Sequence, residues 1–449
     1  MTSLTHEAIK GRVIQSGDDE YDDARAVFYG SFDRRPALIA RPADADDVAT
    51  IVSAARESGL ELAVRAGAHS VAGHSTSEGI VLDLRDVDEL TVDGEGRSAW
   101  AGGGLTTGAY SAGVGADGLA TGFGDTGSVG IGGLTLGGGV GFLVRKHGLA
   151  IDNLLAAEVV TADGKVVRAD AEQHPDLFWA LRGGGGNFGV VTRFQFRLHD
   201  VHAAVGGMLV LPATPEVIAS FVGEAEAAPE ELSSIANIFR APPMPFLPAE
   251  SHGRLVLMAT VLYAGPPEEG ERAIAPLRAL AAPLADMVKP MQYQEIFALT
   301  EGAPHPVAFA ARNLYADGLD LRAAEAIVER VEAATAPMAA TQIRVLGGAA
   351  ARVPVDATAY AHRQRRLMVN VAAIFEDPEE AQTHESWADG LASALRDGDT
   401  AAYVNFLGDE GEARVHDAYP APTWKRLAEV KRRYDPENLF RANHNIPPD

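Results

Sequence analysis

Apolar and polar positions over the first two hundred residues alternate in short blocks, each the length of one strand or one helix. Residues 36–41 (PALIAR) read as a strand. Asp44 then takes an N-cap position with Asp46 and Asp47 in the first turn. Val48, Ile51, Val52 and Ala55 fall on one helical stripe, and Gly59 stands where a C-terminal glycine belongs. Leu62–Arg65 is a second apolar run and passes straight into Gly67-Ala68-His69. This strand–helix–strand opening lacks the order of a nicotinamide dinucleotide fold, because no glycine signature follows the first strand. Residues 79–84 give another strand. Leu90–Asp93 and residues 97–101 form a hairpin about Gly94-Glu95-Gly96, and a helix covers 106–116. Residues 156–161 and 165–169 form a second hairpin. Pro175 opens a helix that Gly183–Gly186 closes, and residues 190–198 alternate as a half-buried strand.

Near residue 200 the pattern changes. Glycine clusters stop, and proline-rich connectors appear at 241–248 and 265–270. Helical stripes at 216–227, 268–280 and 321–334 alternate with strand-like runs at Leu255–Tyr263 and Leu367–Phe375. That order predicts an α+β domain whose sheet is covered by helices on one side. Residues 401–407 (AAYVNFL) read as one more strand and 422–433 as a helix. The end, YDPENLFRANHNIPP, is too rich in aromatic and amide side chains to be a plain tail.

With 449 residues, 47% apolar and 22% charged, the chain is long enough for two or three domains. Its N-terminal residues carry no secretory pattern, and no run approaches the ~20 apolar residues of a membrane span, so a cytoplasmic protein with no membrane partner is expected. There is no cysteine, which removes thiolate metal sites, iron–sulfur clusters and thiol nucleophiles together; no metal site is expected. The net charge of −24 argues against nucleic acid as a partner and reads as a solubility device or as salt adaptation. Between Gly122 and Gly141 ten of the twenty residues are glycine, an entropic cost that makes sense where backbone N–H groups must lie bare against a ligand.

Four separated segments together resemble one family: RAGAHS at 65–70, TGSVGIGGLTLGGGVGFLVRKHGLAIDN at 126–153, RGGGGNFGVVT at 182–192 and YDPENLFRANHNI at 434–446. They look like the berberine-bridge-enzyme type of FAD-linked oxidases in the vanillyl-alcohol-oxidase superfamily. The resemblance implies an α+β fold with a PCMH-type FAD-binding domain of two α/β subdomains. That domain is built from residues 1–200 and the returning segment 401–449, with a substrate domain at 201–400 inserted between them. It implies FAD bonded to His69, hydride transfer from a C–H bond next to oxygen or nitrogen of an alcohol, sugar or amine, and O2 as the partner that becomes H2O2. A flavin dehydrogenase that avoids oxygen and a catalytically idle flavin-binding protein are the alternatives. Many members bond the flavin a second time through a cysteine. Thr126 stands at the corresponding position here, so the resemblance implies a single bond, and Val129 leaves room for oxygen.

The same resemblance assigns the remaining site. Arg65, Ala66, Gly67, Ala68, His69 and Ser70, with Gly130, Gly132, Gly133, Gly137 and Gly138, offer backbone donors to the pyrophosphate. Val129, Leu134 and Thr135 line the ribityl chain and ring, Val190 lies toward the adenine, and Asn443 and Asn445 meet the pyrimidine. His74 either assists attachment or is a plain loop histidine, and Asn187 is either a turn residue or a ligand. Tyr403 and Asn405, two apart on the expected strand, face substrate or flavin as candidate catalytic residues. An alcohol needs a base for its hydroxyl proton, and Tyr403, Tyr315, Tyr360, His362 and Glu295 remain candidates, with Arg312, Arg363 or Arg365 to lower a tyrosine pKa; an amine needs less help. A monomer or homodimer is expected.

Overall fold

A computed structural model of the chain describes residues 8–300, 308–396 and 398–448. The strand–helix–strand opening forms as its pattern dictates. Asp44 caps the helix Ala45–Ser58 by accepting from the Asp47 N–H, and Gly59 ends it in the left-handed region at φ 67. Strands Leu38–Arg41, Ile80–Asp83 and Leu62–Arg65 run parallel, with Arg12–Ile14 antiparallel at the edge. The helix lays Val48, Ile51 and Val52 on Leu38, Leu62 and Ile80, all essentially inaccessible to water. Burying side chains of this size contributes about 1.5–3 kcal/mol each.

A second sheet is antiparallel throughout, in the order Leu90–Asp93, Ser98–Gly102, Val190–Arg197, Leu154–Val160, Val166–Asp170. Alternation along Val190–Arg197 turns Phe194 and Phe196 inward, where Tyr110, Phe123 and Phe196 meet edge to face. The same core takes Ala402, Leu407, Leu427 and Ile446 from the far end of the chain.

Between these two parts in sequence lies an eight-stranded sheet. Its main path is Ala285–Asp286, Ala204–Pro212, Leu255–Tyr263, Leu232–Arg240, Met338–Val345, Leu367–Phe375 and Ala308–Ala316, with Lys289–Met291 also on Ala204–Pro212. Helices Pro215–Ala227, Pro267–Arg278, Leu321–Glu332 and Ala381–Leu395 cover one face in a common apolar core. The opposite face looks toward the glycine-rich segment. Residues 401–407 form no strand: Val404–Phe406 is a 3-10 turn. The backbone N–H of Tyr403 goes to the Asn313 side chain at 2.6 Å instead of a ladder partner, so β propensity yields to a tertiary contact.

Candidate active site

Strand Leu62–Arg65 delivers the chain into a loop whose geometry is unusual. Ala68 holds φ 60, a left-handed conformation that costs a non-glycine residue about 1–2 kcal/mol. The strained turn gives the Ala68 carbonyl to Phe28 N–H at 3.1 Å and stacks the His69 ring on Phe28, centroids 4.0 Å apart. The backbone N–H groups of Gly67, Ala68, His69, Ser70, Val71 and Ala72 donate to no protein acceptor among the described residues. Six consecutive free donors in a half-buried loop make a site for an anion. Burial pushes the His69 imidazole down to about 4 and His74 down to about 3, the latter helped by His444 and Arg34, so both are neutral at pH 7. His74 meets His444 edge to face at 4.6 Å and gives its own N–H to Ser70 Oγ, a contact that ties loop to tail.

The glycine run packs directly on this loop. Gly67 and Gly130 meet backbone to backbone, and a Cβ on either would collide with the other. Gly133, exposed at the start of helix Ile131–Gly137, borders open space, and Gly132 lies against the Gly103 carbonyl. Gly137 and Gly138 do something other than expected. The N–H of Gly138 is spent on the Thr135 carbonyl, and a Cβ on Gly137 would strike the Asn405 amide. They are small so that Asn405, Tyr360 and Tyr403 can approach, not to offer donors. Arg65 is a second correction: it belongs to the strand, and its guanidinium turns away into full burial on Asp83 at 2.8 Å and the Ala24 carbonyl at 2.6 Å. Val190 is core, among Val160, Ala162 and Phe440. Thr126, Val129 and Leu134 are half-buried, with the Thr126 carbonyl accepting from Val129 N–H and the Val129 carbonyl accepting from Thr107.

Asn187 proves to be a clasp. Its amide donates to the Gly184 and His444 carbonyls and accepts the Ile446 N–H at 3.0 Å, docking the tail beside the loop. Beneath it the fully buried Lys431 ammonium donates to Asn187 O, Phe440 O and Asp435 Oδ2 at 2.7–2.9 Å, while Asp435 also accepts the Leu439 and Phe440 N–H groups. This holds Asn443 and Asn445 in place with their side-chain oxygens buried and unpartnered.

Of the base candidates, Tyr315, Tyr360, Tyr403 and His362 come together. Tyr315 and Tyr360 share a hydrogen bond of 2.7 Å, His362 tilts over Tyr315, and Tyr403 lies 6.0 Å from Tyr360. The Tyr403 hydroxyl accepts the Gly139 N–H at 2.8 Å and the Asn405 Nδ2–H at 2.9 Å, and Asn405 also donates to the Leu134 carbonyl. Burial dominates all three phenols. It pushes Tyr403 up to about 12 despite those two donors, and raises Tyr360 and Tyr315 as well. His362 is held neutral, its Nε2 facing the Asp417 and Ala418 carbonyls. Glu295 is not part of the site; it is exposed and accepts the Gln292 N–H in a capping box. Arg312 points to the helix side of its strand, onto Asp389, and Arg365 pairs with Asp317 and Asp399, so neither serves a tyrosine. Arg363 does lie against the Tyr360 ring, but its charge is taken by Asp152 at 2.7 Å.

Sequence reasoning missed the floor opposite. Asn237, Gln342, Asn370 and Asn313 stand directly across from one another on four adjacent strands and hydrogen-bond in a row. Arg344, buried and paired with Asp125 at 2.8 Å, donates to Gln342, the second member, and Tyr403 N–H joins the row at Asn313. Part of the signal was present: each strand carries a single amide, which in SSIANIF and LMVNVAA stands amid apolar neighbours, while Gln342 and Asn313 sit beside Thr341 and Arg312.

These residues fit FAD. Free N–H donors suit a pyrophosphate, and the buried, unpartnered oxygens of Ser128, Thr135, Asn443 and Asn445 suit a polar group brought between loop, glycine run and tail. Comparison with known proteins agrees. Residues 36–170 match the FAD binding domain family and residues 402–447 match the berberine and berberine-like family. The chain is 32% identical to (R)-6-hydroxynicotine oxidase of Paenarthrobacter nicotinovorans over 98% of each protein. It is 30% identical to the FAD-linked oxidoreductase YgaK of Bacillus subtilis, covering 98% of this chain and 97% of that one. The crystal structure of 6-hydroxy-D-nicotine oxidase from Arthrobacter nicotinovorans superposes with a TM-score of 0.87 at 30% identity over 98% of each chain. The glucooligosaccharide oxidase of Acremonium strictum, described with 6-S-cysteinyl, 8α-N1-histidyl FAD, shares the fold at a TM-score of 0.85 and 23% identity, covering 98% of this chain and 97% of that one. The chain described here is a member of the berberine-bridge-enzyme-like FAD-linked oxidases of the vanillyl-alcohol-oxidase superfamily.

Proposed function

We propose that this oxidase removes hydride from the carbon next to nitrogen in a small amine, with FAD bonded through His69 alone and O2 as the electron acceptor that leaves as H2O2. In this reading residues 1–200 with 401–449 hold FAD and residues 201–400 close over the substrate. FAD, when bound, supplies the two-electron acceptor for the hydride. The observation that carries the reading is the arc of free N–H groups at 67–72 with a neutral imidazole at its centre. The arc neutralises a pyrophosphate, and a neutral imidazole keeps the lone pair that bonding to a flavin methyl requires. Thr126 and the absence of cysteine limit that bonding to one residue.

Preference for an amine follows from the tyrosine cluster. An alcohol must lose its hydroxyl proton as hydride leaves, and every phenol in the cluster keeps its own proton at neutral pH. A neutral amine needs no such base. Tyr403 then acts as a donor: both of its lone pairs are engaged by Gly139 and Asn405, which leaves its O–H to give to the substrate. The hydroxynicotine in the name of the similar oxidase carries an amine too.

Two measurements test this. Denatured wild-type protein on a gel fluoresces as flavin, and His69→Ala abolishes the band; a surviving band rejects attachment at His69. In a screen of amines, alcohols and sugars for peroxide release, amines head the ranking, and an alcohol or sugar at the top rejects the amine preference.

A further inference from the structure

The row Asn237–Gln342–Asn370–Asn313 has a direction, and the direction is fixed at two points, Asn313 and Gln342. Tyr403 N–H can only donate and the Val369 carbonyl can only accept. Asn313 meets the first through Oδ1 at 2.6 Å and the second through Nδ2 at 3.3 Å, so its amide cannot be flipped. Asn313 Nδ2 also donates to Asn370 Oδ1 at 2.6 Å, which turns Asn370 Nδ2 toward Gln342 Oε1 at 3.3 Å. From the other side Arg344, a pure donor, gives Nε–H and Nη2–H to the same Gln342 oxygen at 3.0 and 2.8 Å. That leaves Gln342 Nε2 to donate to Asn237 Oδ1 at 3.0 Å.

Every amide oxygen in the row is therefore already accepting, that of Gln342 three times over. Asn313 spends both N–H groups on Val369 and Asn370, but Gln342 and Asn370 each keep a second one, and Asn237 Nδ2 donates to no protein group among the described residues. Asn237, Gln342 and Asn370 are half-buried on the face that looks toward the glycine run. The next row on that face is Ala311, Ala372 and Ala340, directly opposite one another, with Phe239 opposite Ala340 at the Asn237 end, so the small side chains leave room above Asn313, Asn370 and Gln342. Such a surface presents unspent N–H donors beside oxygens that all accept already, the Gln342 oxygen being saturated.

We propose that this row selects the substrate, taking molecules that carry a hydrogen-bond acceptor, such as a carbonyl or a ring nitrogen, and rejecting isosteres that lack it or that present only donors. The proposal rests on the reading that the facing glycine run and loop hold FAD. A site built to hydrogen-bond a group discriminates strongly against its absence, because its own polar atoms are then left unpaired.

The test uses acetophenone and ethylbenzene, which differ by the carbonyl oxygen, and benzylamine, a cationic donor. Each is titrated into the FAD-loaded enzyme and followed by flavin absorption, and into the protein as isolated by saturation-transfer NMR. Acetophenone binds about tenfold tighter than ethylbenzene in wild type. Gln342→Glu keeps the shape and the acceptor for Arg344 but puts a charged oxygen where an N–H stood. It weakens acetophenone about tenfold and brings benzylamine above it. Asn370→Leu brings the two neutral probes together. Equal binding of the two in wild type, no binding of acetophenone, or a Gln342→Glu enzyme with wild-type ranking overturns the proposal. Protein that takes up no FAD defeats the flavin reading instead, and the NMR ranking still decides the row.

Discussion

Replacing Lys431 by methionine tests how the tail is held. The ammonium is fully buried and lies between Asn187 O, Phe440 O and Asp435 Oδ2. Burial alone lowers its pKa, so the charged pair is no large net gain over an apolar one. The cost of Lys431→Met comes from what stays behind: a carboxylate with no access to water, compensated only by the Leu439 and Phe440 N–H groups, an Asn187 carbonyl without a donor, and a Phe440 carbonyl left with Asn443 alone. Stranding a buried charge in this way costs about 3–5 kcal/mol, a large part of the roughly 5–15 kcal/mol that stabilises an ordinary domain. At 1.36 kcal/mol per decade, that is a rise of roughly two to nearly four orders of magnitude in tail opening. Hydrogen exchange at the Leu439 and Phe440 amides reads it directly, and urea unfolding followed by circular dichroism reads any global share. The double variant Lys431→Met with Asp435→Asn removes the stranded charge and recovers most of the loss. A loss below about 1 kcal/mol for Lys431→Met, or a double variant as weak as the sum of the two single ones, refutes the reasoning.

Other outcomes follow from the same geometry. Flavin reduction by several amines tracks the pKa of each amine and shows no common enzyme group between pH 6 and 10, because Tyr403 is pushed up to about 12; a shared inflection there contradicts this. Gly137→Ala drives a Cβ into Asn405, detaches the 403–406 turn and lowers turnover about tenfold or more, while Gly137→Ala with Asn405→Ala regains thermal stability but not turnover. His147 and His199, stacked at 3.9 Å, are pushed by burial down to about 3 and about 4. Since the unfolded chain takes up their protons first, stability falls as pH drops from about 6.5 toward 4, and His147→Phe flattens that part of a Tm-against-pH curve.

Local chemistry was readable wherever the chain decides alone. Asp44 and Gly59 bound their helix because capping needs only neighbours, and Leu255–Tyr263 and Leu367–Phe375 are apolar runs long enough to be buried strands. The glycine-flanked stretch Arg65–Ser70 stood out because a turn of bare donors favours small residues, but nothing local marked Val71 and Ala72, whose N–H groups continue the run. What failed needed a distant partner. AAYVNFL favours a strand, but Asn313 and Gly139 claim Tyr403 from elsewhere in the fold and bend it into a turn. Arg312 and Asn313 differ by one position, and strand parity sends the arginine to the helices and the asparagine to the site. Parity is invisible until the register is known. Asn187 gave no sign of being a clasp because its partners, His444 and Ile446, come from the other end of the chain.

The core that joins Phe123 and Phe196 to Leu427 and Ile446 spans the whole eight-stranded sheet in sequence. A ribosome therefore finishes one wall of the proposed cofactor site long before the other exists. Until residue 446 has emerged, the loop at His69 faces no tail, and the first two sheets lack part of their shared core. On that reading cofactor loading waits for the tail, and chains interrupted within the large sheet are expected to stay colourless. Yellow colour in a preparation counts completed, fully docked molecules rather than synthesised ones, which makes flavin absorbance per unit of protein a direct gauge of assembly yield.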